Sequence, residues 1–416
     1  MISKATVHKA TVLINRRMNT ERGVTTCGPV CSKAAGMTLH HLEGTRAMQD
    51  GSTSDLATST RRTLELLSRH RSKTIADCAS LEMNDTTWQR LFGFRHAFDQ
   101  PVTAVVTLTA VVLLGLAPVL IFITTRGARS NAEKRKDLWV RYRSWIWLVF
   151  CILIPILAGA FWTILAVATL SLLCYREYAR ITGLFRERII SFIVVIGILL
   201  ITFAALDNWY RLFVAMFPLT VALIAVGGLI PDQPKGYIQR VGLGVLGFAL
   251  FGSALGSLGY MANDWNYRPI LLLIIFAVEL NDIFAFICGH LFGRRKFVPN
   301  TSPNKTVGGS LGAILLTTPL VAVIAHFIWA NTALDNPICL IGLGVIISVV
   351  GQFGDLMLSS IKRDLGLKES AKLIPGHGGL LDRFDSLILV APAVFHYVGY
   401  FVGFGAGQSE RIFSGL

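Results

Sequence analysis

Charge is scarce in this chain. Only 15% of its 416 residues are Asp, Glu, Lys or Arg, against 53% hydrophobic, a balance that argues against an ordinary soluble domain. Acidic residues are the scarcer sign, 25 against 39 basic, which leaves a net charge of +14. No basic face interleaved with aromatics stands outside the apolar runs, so no nucleic-acid partner is expected. Cysteine is sparse and scattered: Cys27, Cys31, Cys78, Cys151, Cys174, Cys288 and Cys339. The Cys27/Cys31 pair lacks a second pair or a nearby His at zinc spacing, which argues against a zinc site. Several of the others lie in apolar runs, where Cys acts as a small hydrophobe. No apolar core follows a basic start, so no secretory signal is read.

What the chain has in abundance is apolar runs near the length of a membrane span. They fall at 102–125, 189–206, 212–230, 241–261, 270–292, 309–330, 338–361 and 387–404. A longer one, 144–175, makes two spans turning near Ala158-Gly159-Ala160. The expected fold is all-α, a polytopic integral membrane helical bundle of about ten transmembrane helices. The loops at 126–143, 176–188, 231–240, 293–308 and 362–386 carry the Lys and Arg, and those at 207–211, 262–268 and 331–336 carry few. By the positive-inside rule the basic loops are cytoplasmic, and the excess charge also suits contact with anionic membrane lipids. The count conflicts with one segment, since it puts the basic residues 1–101 on the other side.

Three regions follow. Residues 1–82, rich in Ser, Thr, Arg and Lys without a sustained period, read as a disordered tail. Composition changes at Met83, an alternative start that would leave 1–82 untranslated. Residues 83–141 hold an interfacial segment, the first span and a basic loop. In that segment Leu91, Phe92, Phe94 and Phe98 alternate with Arg90, Arg95 and His96, as in a short interfacial amphipathic helix. Residues 142–416 form the membrane-embedded domain.

Two stretches hold the chemistry. In 351–386, Asp355, Ser359 and Lys362 fall on one helical face, and Asp382 and Asp385 on another. Between them Pro375-Gly376-His377-Gly378-Gly379 is too rich in breakers to continue a helix. Carboxylates beside Lys and Arg suit Mg²⁺ with phosphate. In 279–309, Glu279 and Asp282 lie three apart at membrane depth, where acids face an interior, a cavity or a cation. The loop Ser302-Pro303-Asn304-Lys305-Thr306 then offers backbone N–H groups and one Lys to a phosphate. Each feature has a plainer reading. Lys362 and Arg363 suit a positive-inside anchor, Asp382 and Asp385 a helix N-terminus, and Lys305 an ordinary turn. Lys368 and Lys372 read as solvated, and His290, His326 and His396 as structural.

These residues resemble the CDP-diacylglycerol synthase (phosphatidate cytidylyltransferase) family. Its pattern Ser-x-apolar-Lys-Arg appears at Ser359–Arg363, its Lys-Asp as Lys368-Glu369, and its Pro-x-His-Gly-Gly-apolar-x-Asp-Arg-x-Asp at Pro375–Asp385. Its earlier pattern appears as Asp282-Ile283-Phe284-Ala285-Phe286, Gly293-Arg294 and Ser302-Pro303-Asn304-Lys305-Thr306. The chain departs at Glu369, and more tellingly at Gly308, where the family has Glu, and at Val307, where it has an aromatic. The resemblance implies CTP + phosphatidate → CDP-diacylglycerol + pyrophosphate, with CTP and phosphatidate as partners. It implies Mg²⁺ on Asp355, Asp382 and Asp385, with a second, monovalent cation as a further candidate. Lys362 and Arg363, with Lys305, would hold phosphates, and His377 is a candidate base or loop donor. Asp282, Ser302, Ser359, Gly378, Gly379 and Arg383 would complete the substrate site. A homodimer is compatible with such spans. The competing readings are a related lipid or prenol nucleotidyltransferase or kinase, a catalytically weak paralogue on account of Gly308, and a cation-coupled transporter, which predicts inverted repeats.

Overall fold

The computed structural model describes residues 87–124, 132–367, 370, 379–404 and 411–414. The expected tail 1–82, Met83, and Lys368, Glu369, Lys372, Pro375, Gly376, His377 and Gly378 lie outside the described residues.

Ten long helices follow one another among the described residues: α1 Pro101–Thr124, α2 Ala132–Ala158, α3 Ala160–Ile181, α4 Arg188–Leu206, α5 Tyr210–Gly227, α6 Tyr237–Met261, α7 Tyr267–Phe292, α8 Val307–Ile328, α9 Pro337–Asp364 and α10 Asp385–Phe401. Nine are long and apolar enough to cross a membrane, and α10 is shorter. The protein is thus a polytopic, all-α integral membrane protein, as the apolar runs predict. The turn between α2 and α3 falls at Gly159, with φ 150°. A side chain there would meet the Leu91 carbonyl oxygen at 2.1 Å, so only glycine permits the turn.

Two expectations are corrected. The basic stretch 126–143 is not all loop, because α2 begins at Ala132 and carries Arg135, Lys136, Arg141 and Arg143 in its first turns. Lys and Arg are good helix formers, so the charge that marks a membrane boundary does not end the helix. Second, Ser302–Thr306 is a strand, β2 (β1 being Lys296–Val298), rather than a wrapping loop. It pairs antiparallel with Lys296–Val298, Lys296 opposite Thr306 and Val298 opposite Ser302.

Successive helices run up and down between two ends. At one end the α4–α5 turn, the α6–α7 turn and residues 87–100 are tied together. Asn263 Nδ2 donates to Ala205 O at 2.7 Å, Tyr260 Oη to Asn208 Oδ1 at 3.1 Å, and buried Arg90 Nη1 to Asn263 O at 2.6 Å. Residues 411–414 dock there as well. The Phe413 and Ser414 N–H groups donate to Asp207 Oδ1 at 2.6 and 3.0 Å, the Ser414 hydroxyl donates to Asp207 Oδ2, and Arg411 lies 4.0 Å over the Trp209 ring. The segment 87–100 is a short helix at 87–92 and a 3₁₀ turn at Phe94–His96. Leu91 is buried, and Trp88, Phe94 and Phe98 are exposed. This end carries the loops poor in Lys and Arg. The geometry therefore agrees with the span count, which puts 87–100 opposite the basic loops.

The core lies between α3, α4, α6, α7, α9 and α10, where Tyr178, Phe248, Phe251, Tyr260, Tyr267 and Phe395 are buried. Tyrosines keep a partner there: Tyr178 Oη donates to Leu243 O and Tyr267 Oη to Ile156 O, each at 3.1 Å, as buried hydroxyls must. Helices α7, α8 and α9 are joined by a polar node. Asn281 Oδ1 accepts from Thr317 Oγ1 at 3.1 Å and Ser348 Oγ at 2.5 Å. Such a node in an apolar medium fixes helix register, and so sets where the next residue, Asp282, stands.

Candidate active site

The site is built at the end of the bundle opposite residues 87–100. Asn336 caps the start of α9 with its side chain on Ile338 N, and Pro337 follows at the first helical position. The helix then runs without interruption to Asp364, presenting Asp355, Ser359 and Lys362 as the spacing predicts. The β2 strand ends at Thr306, whose Oγ1 accepts from Gly309 N at 3.2 Å and caps α8. Strand and cap together fix Lys305.

Lys305 Nζ lies 2.6 Å from Asp355 Oδ2 and donates to Gln352 O at 3.3 Å. Ser359 Oγ donates to the other Asp355 oxygen at 3.2 Å. Asp385, at the first turn of α10, feels the charges of both Asp355 and Asp282. Asp282 in turn feels Lys305 and Arg383, and Glu279 feels Asp282 and Arg383. Four carboxylates from α7, α9 and α10, Glu279, Asp282, Asp355 and Asp385, thus share one electrostatic neighbourhood with Lys305 and Arg383.

The close approach of α9 to α10 depends on Gly354. A methyl group there would meet Asp385 O at 2.7 Å and Ser386 Cα at 3.0 Å, backbone atoms that cannot rotate away. We expect Gly354→Ala to push α10 off α9, cost about 1–3 kcal/mol, and lower activity more than its loss of stability explains. Thermal unfolding and turnover measured together check this, and wild-type turnover would refute it.

Asp382 does something different from what its spacing predicts. It does not share a helix face with Asp385, because α10 begins at Asp385 and Asp382 sits in the turn before it. Lys362 Nζ donates to Asp382 Oδ1 at 2.7 Å. Asp382 Oδ2 accepts from Ser370 N at 3.0 Å, Ser370 Oγ at 2.9 Å and Gly379 N at 3.1 Å. Burial disfavours its charge, but the Lys362 ammonium and the Ser370 and Gly379 N–H groups outweigh that and hold the carboxyl below the ordinary carboxylate range. The donors drawn to this carboxylate hold the turn and keep the helix from starting earlier.

Arg363 Nε donates to Thr301 O at 3.2 Å and Nη1 to Leu367 O at 3.4 Å, which ties the end of α9 to the hairpin. Ser302 opens β2 within that hairpin. His377 and Gly378 lie outside the described residues.

One residue escapes the sequence reading. Glu177, near the end of α3, is 4% exposed. Its Oε1 accepts from Leu380 N at 3.0 Å, and its Oε2 from Leu381 N at 2.9 Å and Ser370 Oγ at 3.3 Å. Two carboxylates, Glu177 and Asp382, therefore gather the N–H and O–H donors around Ser370 and Gly379–Leu381. Read in sequence, Arg176-Glu177-Tyr178-Ala179-Arg180 is an ordinary charged boundary, with Arg180 three residues on as a ready local partner for Glu177, so no sequence signal singles it out.

The Gly308 departure has a packing cause. A side chain at that position would meet Phe292 O at 2.7 Å. The end of α7 thus closes on the start of α8 in a way that leaves no room for a glutamate.

Residues 139–401 match the cytidylyltransferase family. The uncharacterized protein YnbB of Escherichia coli (strain K12) is 33% identical over 278 residues, 65% of this chain and 91% of that protein. A phosphatidate cytidylyltransferase of Staphylococcus saprophyticus is 42% identical over 150 residues, 35% of this chain and 56% of that enzyme. That of Staphylococcus haemolyticus is 37% identical over 148 residues, with the same shares. The chain thus spans little more than half of those two enzymes, and nearly all of the Escherichia coli protein. With most of its bundle inside the matched region, the chain belongs to the cytidylyltransferase family.

Proposed function

We propose that the protein is a phosphatidate cytidylyltransferase, converting CTP and phosphatidate to CDP-diacylglycerol and pyrophosphate in phospholipid biosynthesis. The observation that carries this reading is the Lys305–Asp355 pair, 2.6 Å apart, set among Asp282, Asp385 and Arg383 at one end of a membrane bundle. Both substrates are anions, so the site must first cancel charge. Lys305 is the cation placed to do so, leaving Asp355 for a phosphate oxygen as the nucleotide enters. Arg383, acting on Asp282 and Glu279, keeps excess negative charge from repelling the second anion. An oxygen of the phosphatidate phosphate attacks the α-phosphorus of CTP, the bond to the bridging oxygen of the β-phosphate breaks, and pyrophosphate carries away the electron pair. The nucleophile is already ionised near neutral pH, so no strong base is required.

The donor set fits Mg²⁺, which takes one or two carboxylates and completes its shell with water and phosphate oxygens. Among the described residues no three His, Cys, Asp or Glu side chains are placed to hold an ion by themselves. Asp355 and Asp385 are the pair that would hold Mg²⁺ together with the nucleotide. Asp382 would have to release Lys362 or its loop donors to join them. Bound there, Mg²⁺ would offset the charge on the phosphates and on the departing pyrophosphate. We place this end of the bundle on the cytoplasmic side, supported by the Lys and Arg of its loops.

Purified protein given labelled CTP, phosphatidate and Mg²⁺ is expected to form CDP-diacylglycerol, with none formed when diacylglycerol replaces phosphatidate. Absence of product with phosphatidate would overturn the assignment.

A further inference from the structure

At the end opposite the catalytic loops, a cleft of about 50 Å³ opens between residues 89–103 and the start of α7. Its walls include Arg90, His96, Thr103, Asn266 and Arg268. Arg90 is 2% exposed, Arg268 8% and Thr103 0%. Buried polar groups are almost always paired, yet several donors here have no partner among the described residues. Arg90 places Nη1 on Asn263 O, while its Nε and Nη2 have no partner. Arg268 donates to His96 O and Gly93 O at 3.2 and 2.9 Å, and its Nε has none. The Thr103 hydroxyl is also unpartnered.

The nearby side-chain acceptors already bond other donors. Asp99 faces His96 at 2.8 Å, Asn266 Oδ1 takes Gln100 Nε2 at 3.0 Å, and Asp264 takes Asn266 N at 2.7 Å. One amide oxygen, Asn263 Oδ1, is unpartnered, but Asn263 is not part of the cleft wall. Burial lowers the Arg90 guanidinium to about 10, against the charge of Asp264, so it stays protonated at neutral pH. Two guanidiniums and a hydroxyl in want of acceptors are the complement of an oxyanion. Trp88, Phe94, Phe98 and Trp265 are exposed around the cleft, as aromatics are at the lipid–water boundary.

We propose that this cleft binds a phosphate group, that of an anionic lipid headgroup or free in solution, through Arg90, Arg268 and Thr103. The site is separate from the catalytic end and does not depend on the reaction assigned above.

The test uses the full chain in a phosphate-free maltoside detergent, followed by thermal unfolding. Adding phosphatidylglycerol is expected to raise Tm by about 2–4 °C. Inorganic phosphate in the detergent alone separates the sources: an equal rise supports a free-anion site, and a rise with the lipid only supports a headgroup site. Arg268→Gln and Thr103→Val should each remove most of the rise. Thr103→Val keeps the shape of a buried side chain whose hydroxyl has no protein partner, so it should fold as well as wild type. No rise with either probe, or a rise that persists in both variants, would overturn the proposal.

Discussion

Asp355→Asn is expected to cut product formation by at least about 10²–10³-fold while the protein stays folded. The substitution preserves shape at a residue whose partners include Lys305, Ser359 and Asp385, and removes the charge and one acceptor oxygen. Two losses then coincide. The neutral amide no longer balances Lys305, and it is a poor ligand for a hard cation. If the proposed reaction holds, the loss should fall mainly on kcat, because the charge would matter most as pyrophosphate departs. Asp385→Asn should behave alike, and the double variant little worse than either, because the carboxylates act as a unit. Size-exclusion behaviour and Tm near wild type establish folding. Near-normal turnover in Asp355→Asn would remove this residue from the chemistry.

The second large effect is expected at Glu177. Glu177→Ala leaves Leu380 N and Leu381 N without their acceptor, each at about 1–3 kcal/mol in a buried setting, while Ser370 Oγ keeps Asp382. The loop between α9 and α10 should loosen, and turnover should fall about 10²-fold, by analogy with the cost of small misplacements at an active site. Glu177 touches no reacting atom in this account, so it acts as a positioning residue. Glu177→Gln keeps one acceptor oxygen and should recover part of the activity. Hydrogen exchange supplies the readout that a general loss of stability would not move. Amides of residues 379–382 should exchange faster in Glu177→Ala while those of α4 and α7 stay protected. Unchanged exchange at 379–382 would remove the clamp.

The helices were legible because a membrane imposes length and apolarity on each span, and nine of the ten described helices meet both demands. Their ends were less so. The basic residues before Ser144 mark a lipid boundary, but Lys and Arg also sustain a helix, and α2 continues back to Ala132. Asp382 and Asp385 are three apart, which reads as one face. Which of them opens the helix depends on donors from Ser370 and Gly379 that only the fold brings to Asp382. The motif residues Lys305 and Asp355 were each identifiable, but their pairing across 50 positions was not. Glu177 was illegible for the same reason, since its partners lie about 200 residues further on. The Gly308 departure could be seen in the sequence, and its cause, the Phe292 carbonyl, could not.

The anchoring of residues 411–414 to Asp207 has a practical side. Residues 411–414 sit at the end of the bundle opposite Lys305 and Asp355. A fluorescent reporter held close to Ser414 would therefore register which compartment that end meets, away from the candidate active site.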